Sequence, residues 1–187
     1  MRVVADSLTD WLDADGEARP LGAEDGAYAG LATPYRTGGV LLAEVSELRA
    51  VKGMDAELYR RLRPYVCALP TSRPSVLNVN TLTAGQAPLL MMLTDNALSL
   101  DSARAVIARR PRDGWPDVEA FWTQPAPAAV QLPDEARGQV GVVTRYFNLR
   151  VEVAHGGGRA VRTALLHGGP HGAVRAGIQR WTPRERH

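Results

Sequence analysis

Six carboxylates fall within sixteen positions near the start of the chain, in DWLDADGEARPLGAED over residues 10–25, interrupted by Gly16, Pro20 and Gly22. Two readings fit such a stretch. A hard dication takes six to eight oxygen ligands, and a flexible loop of carboxylates and backbone carbonyls supplies them. A solvated surface loop has the same composition and is the commoner outcome. The EF-hand template does not decide the matter, because starting it at Asp13 puts Ala18 where that loop needs glycine. On the residues alone both readings stay open.

Other chemistries find less support. The HGGG at residues 155–158 matches an oxyanion-hole motif, but no Gly-x-Ser-x-Gly accompanies it and its glycines suit a hairpin turn. His155, His167, His171 and His187 show no zinc spacing. There is no Walker loop and no GxGxxG. Cys67, in the apolar run YVCAL, reads as a buried small hydrophobe, and as a single cysteine it forms no internal disulfide. No catalytic constellation emerges, so no enzymatic activity is expected.

The elements that must carry the acidic stretch are short helices. VADSLTDWLD places Val4, Leu8, Trp11 and Leu12 at helical spacing, leading into loop over residues 16–40. In LAEVSELRAVKG, Leu42, Val45, Leu48 and Val51 recur every three residues and predict a helix closed by Gly53. Asp55 is the expected N-cap of the next helix, with Leu58 and Leu62 inward and Pro64 soon after. After a breaker-rich joint, AGQAPLLMMLTDN predicts a helix that starts or kinks at Pro88. SLDSARAVIARR puts Leu100, Ala103, Val106 and Ile107 on one face, and GWPDVEAFW a last short helix with Pro116 in its first turn.

Beyond residue 123 the period changes. TQPAPAAVQLPDE reads as a linker over 124–139, and RYFNLRVEV alternates with Phe147, Leu149, Val151 and Val153 on one face. HGGG, RAVRTALL, GGPHG and AVRAGIQRW complete an antiparallel β-meander over 140–187, whose apolar face needs a cover. The fold class is therefore α+β: a helical domain over 1–123, in two units of about 1–70 and 75–123, then the linker, then the strands.

Composition agrees with a folded domain or two small ones. The 187 residues are 45% hydrophobic and 22% charged, with a mean hydropathy of −0.19 and no apolar run long enough to span a bilayer. No charged n-region followed by an apolar run appears near Met1. The formal charge of +2 is uneven: residues 1–30 hold seven acids against Arg2 and Arg19, while 136–187 hold nine arginines against Glu152 and Glu185. The ends thus offer two different surfaces.

LRAVKGMDAELYRRL and the stretch from LNVNT to IARR resemble helix–hairpin–helix units, some of which bind DNA phosphates on a Gly-x-Gly turn. Here the turns are Gly53-Met54-Asp55 and Asp95-Asn96-Ala97-Leu98, so the second glycine that lets phosphate approach is missing. DNA binding stands as the alternative function.

In order and spacing, DWLDADGEARPLGAED, YAGLATPYRTGG, LAEVSELRAVKGMDAELYRRLRPYVCALP, LNVNT, SLDSARAVIARRPRDGWPDVEAFW and the closing strands resemble the protein K family of the general secretion pathway, the large minor pseudopilins of bacterial type II secretion. One departure is Leu82, where the family usually has alanine. The resemblance implies a type IV pilin-like fold with a helical domain of two SAM-like units inserted between strands. It implies a non-enzymatic protein capping the pseudopilus tip with minor pseudopilins I and J, anchored in the inner membrane with its soluble part in the periplasm. It also implies that a leader, a membrane helix and early strands precede this stretch. Finally it favours structural Ca2+ in the acidic loop. By loop position the leading ligands are Asp13, Asp15, Glu24 and Asp25, with Asp10 and Glu17 second.

Overall fold

Helix α1, Arg2–Leu12, forms where the apolar spacing predicts, burying Val4 and Trp11. The computed structural model describes residues 2–74, 76–156, 158–169 and 173–182, which gather into two units, 1–74 and 75–187.

In the first unit α1 is followed by a short helix α2, Asp25–Ala29, inside the stretch expected to be loop. It forms because Tyr28 has a place to be buried. The Tyr28 ring meets Trp11 edge-on at 5.4 Å and stacks on Tyr35 at 5.2 Å, and its hydroxyl accepts the Lys52 N–H. Trp11, Ala23, Tyr28 and Val51 are the buried centre, with Leu8, Leu12 and Leu42 packed against it.

The helix expected over LAEVSELRAVKG is only a 3-10 turn, Val45–Ala50, closed at its start by a reciprocal Glu44–Glu47 capping box. The physical reason lies in the pattern itself. Apolar residues recurring every three positions eclipse on a 3-10 helix, whereas an α-helix needs a mixture of three and four. Leu42 precedes the turn and Val51 is extended, yet Leu48 and Val51 are both buried. Gly53 has φ +85°, and a Cβ there would lie 3.0 Å from Val3 Cγ1. Helix α3, Ala56–Leu62, is capped by Asp55, whose Oδ1 accepts the Leu58 N–H at 2.7 Å. Cys67 is exposed rather than buried. No helix among the described residues is long and apolar enough to cross a membrane.

The second unit opens with a pair that the sequence did not suggest. Strand β1, Leu77–Asn78, runs parallel to β2, Val140–Gly141, so the first residues of the expected meander join the helical part instead. Between them lie α4 (Ala87–Leu93), α5 (Leu100–Ala108), α6 (Val118–Trp122), α7 (Pro125–Ala128) and α8 (Asp134–Arg137). Pro88 sits in the first turn of α4 and starts it. Asp95 and Asn96 take positive φ in the turn to α5, which buries Ala103, Val106 and Ile107. Asp117 caps α6, so Pro116 precedes that helix instead of entering it. Residues 124–139, read as a linker, fold into α7 and α8, because Pro127 and Val130 find a place in the core. Leu82 is also buried there, among Val79, Leu90, Trp115 and Phe121.

Strands β3 (Tyr146–His155), β4 (Gly158–Gly168) and β5 (Val174–Thr182) pair in that order as an antiparallel sheet, with an irregularity between Ala164 and Leu166. The hairpin joining β3 to β4 pairs His155 with Gly158 and starts its turn on Gly156 at φ +53°. Phe147, Leu149, Val151 and Val153 are all exposed, a continuous apolar row along β3. His167 stacks on Tyr146, while His171, His187 and part of the GGPHG turn lie outside the described residues. The fold is thus a mixture of helix and antiparallel sheet.

Candidate metal centre

The acidic stretch leaves the C-terminal end of α1, loops outward, and returns to enter α2. This brings Asp13, Asp15 and Glu24 together: one carboxylate oxygen from each lies within 4.8 Å of the others. They line a cleft of about 440 Å³, whose far wall is the segment Arg36–Gly39. That wall is held in place by the Gly39 N–H, which donates to the Trp11 carbonyl at 3.1 Å.

Asp13 Oδ1 and Glu24 Oε1 are buried and have no hydrogen-bond partner among the described residues. An ionised carboxylate accepts and cannot donate, so a buried oxygen without a donor is costly unless a cation faces it. Burial raises the Glu24 pKa, and the negative charges of Asp10, Asp13, Asp15 and Asp25 raise it further. The partnerless oxygens of Asp13 and Glu24, converging with the Asp15 carboxylate, fit a hard dication such as calcium. Asp15 is exposed, and its Oδ1 accepts the Glu17 N–H at 2.9 Å, a local turn that fixes the loop tip.

The remaining three candidates sit differently. Asp25 lines the cleft, but its Oδ1 already accepts from the Thr37 N–H at 2.8 Å and the Thr37 hydroxyl at 2.9 Å. These bonds, with Arg36 nearby, hold the Asp25 pKa below the usual carboxylate range. Asp10 is fully buried and accepts backbone N–H groups of Arg19 and Ala23. Glu17 is exposed and contributes its backbone, not its carboxylate, to the described contacts. The sequence marks Gly22 only as a break in the acidic stretch and gives Thr37 no role. Thr37 lies in the stretch expected to be loop, and nothing local ties it to residues 10–25.

The comparisons with known proteins agree with one another. A family model described as type II secretion system protein K matches residues 1–71, and a second of the same description matches 77–143. The chain belongs to the type II secretion system protein K family. Protein K of Pectobacterium carotovorum subsp. carotovorum is 40% identical over 161 residues, covering 86% of this chain and 48% of the relative. That of Klebsiella pneumoniae is 41% identical over 162 residues, with 86% and 48% covered. The chain spans about half the length of the curated relatives it matches. Its fold is similar to a chain of the GspK-GspI-GspJ complex from the enterotoxigenic Escherichia coli type 2 secretion system. That match has a TM-score of 0.83 and 32% identity, covering 97% of this chain and 63% of the other.

Proposed function

We propose that this chain belongs to a minor pseudopilin that caps the tip of the type II pseudopilus, assembles with minor pseudopilins I and J, and supports export of folded proteins across the outer membrane. The observation that carries the reading is the fold similarity, over nearly the whole chain, to a member of a solved complex containing K, I and J proteins. On this reading the role is architectural and non-enzymatic, the soluble part works in the periplasm, and the anchor is in the inner membrane. The helical part corresponds to two SAM-like units inserted in a pilin-like fold. The exposed apolar row Phe147, Leu149, Val151 and Val153 supports that assignment, since a pilin sheet packs such a face on a long helix.

The acidic cleft has a structural role in this account. Asp13, Asp15 and Glu24 would hold a calcium ion, with Asp25 beside them on the cleft wall. A bound dication supplies the positive charge that lets these carboxylates stay ionised and close together. Asp25, through Thr37, keeps the Arg36–Gly39 wall against the loop, and Asp15 fixes the loop tip. Neither turn favours nucleic acid, because Gly53-Met54-Asp55 carries a carboxylate in place of the second glycine and Asp95-Asn96-Ala97-Leu98 has no glycine at all.

The test is reconstitution. The chain mixed with the soluble domains of proteins I and J from the same secretion system is expected to elute as a 1:1:1 complex in size-exclusion chromatography with light scattering. Separate elution of all three at micromolar concentration would contradict the assignment.

A further inference from the structure

Asp10 is the most completely engaged carboxylate in the acidic stretch, and every partner it has lies just before Glu24. Its Oδ2 accepts the Ala23 N–H at 2.8 Å and the Arg19 N–H at 3.2 Å, and its Oδ1 lies 3.6 Å from Arg19 Nε. The Gly22 N–H donates to the Arg19 carbonyl at 2.9 Å, so residues 19–22 form a turn wrapped around the Asp10 carboxylate. Gly22 is required at this point: a Cβ there would lie 1.8 Å from Asp10 Oδ2. Lys52 Nζ donates to the Gly22 carbonyl at 3.1 Å and ties the turn to the segment after the 3-10 helix.

This geometry separates two tasks. Asp13 and Glu24 stand at opposite ends of the acidic loop, and their charges repel. Asp10 lies on the last turns of α1, three residues before Asp13, and its hydrogen bonds end one residue before Glu24. It therefore closes the loop from both ends, using backbone N–H donors and the guanidinium of Arg19, with no cation needed. With its oxygens taken up by those donors, Asp10 has no reason to face the cleft, which it does not line.

We propose that Asp10, with Gly22, is a positioning pair for the metal centre: it holds Glu24 against Asp13 and Asp15 before a cation binds, without itself being a ligand. This rests on the calcium reading above and assigns roles within it. Partners that orient ligands from outside are worth roughly 10- to 100-fold in metal affinity.

The experiment uses the full chain and terbium as a luminescent stand-in for calcium. Asp10→Asn is expected to weaken terbium binding by roughly 10- to 100-fold while leaving unchanged the number of ion-bound waters read from luminescence decay in H2O and D2O. Asp13→Asn, which removes a ligand, is expected to raise that number. A rise in bound waters for Asp10→Asn, or an affinity within about twofold of wild type, overturns the proposal. Should Asp10→Asn fail to fold, hydrogen exchange of the metal-free wild-type chain decides instead. The Ala23 amide is expected to be protected, and its exchange at an open-loop rate until an ion is added overturns pre-positioning while the calcium reading stands. A wild-type chain that protects Ala23 yet takes up neither terbium nor calcium refutes the calcium reading, and the positioning role with it.

Discussion

Calcium is expected to raise the melting temperature of the chain by an amount the structure allows to be worked out. An ion that binds only the folded state stabilises it by about 2.7 kcal/mol when present at about a hundred times its dissociation constant. The cleft is built entirely from the first unit, 74 residues long. Unfolding entropy of about 2.1 cal/mol/K per residue gives that unit about 0.16 kcal/mol/K. The shift is then about 17 °C if the first unit melts alone, and about 7 °C if the chain melts as one. Differential scanning calorimetry with calcium against chelator measures it, and two resolved transitions would show which case holds. Magnesium, which demands octahedral geometry and sheds water reluctantly, should shift the transition less. Asp13→Asn should remove most of the calcium effect. An unchanged transition at millimolar calcium, or an equal shift in Asp13→Asn, would refute the reasoning.

Three further outcomes follow from particular residues. Glu24 has a folded pKa raised above its unfolded value, so its contribution to metal-free stability is present at low pH and is lost as pH rises through the folded pKa. Metal-free Glu24→Gln should accordingly be more stable than wild type at neutral pH, with the gap closing in acid, while calcium affinity of the wild type falls as pH drops through the same range; melting curves across pH with and without calcium check both signs. The Asn80 side chain accepts the Trp115 N–H and donates to the carbonyls of Trp115 and Val142, so Asn80→Ala should cost about 2–4 kcal/mol in urea unfolding of the second unit. Val151 is exposed on the sheet, and Val151→Glu should leave stability within about 0.5 kcal/mol while reducing binding of a hydrophobic dye.

The parts of the fold that were legible in the sequence are those fixed by local rules. Val4, Leu8 and Trp11 announced α1, Asp55 announced the start of α3, and the alternation after Arg145 announced β3. The misreadings have physical causes. The three-residue apolar period of Leu42, Val45, Leu48 and Val51 predicts a helix, but such a period suits the 3-10 turn that forms. The proline-rich stretch at 124–139 carried breaker signals, but two short helices fit between its prolines once Pro127 and Val130 had a core to enter. Cys67 sits in an apolar run yet stays exposed, since burial depends on a tertiary neighbour that the run does not encode.

The candidate site divides in the same way. That the stretch 10–25 is unusually acidic is plain from composition. That Asp10 turns inward to Ala23, and Asp25 across to Thr37, is not, because backbone N–H groups carry no sequence signature and Thr37 lies twelve residues beyond its partner. Loop position alone ranked Asp25 with Asp13, Asp15 and Glu24. The geometry gathers the last three and gives Asp25 a wall to hold.

A crystal structure of the chain grown with calcium is the most direct measurement of the central claim, that an architectural protein keeps its acidic loop folded around a cation. The ion should be bonded to carboxylate oxygens of Asp13, Asp15 and Glu24, with Asp10 still accepting from Ala23. A cleft that takes no ion at saturating calcium, or an ion held elsewhere in the chain, would contradict it.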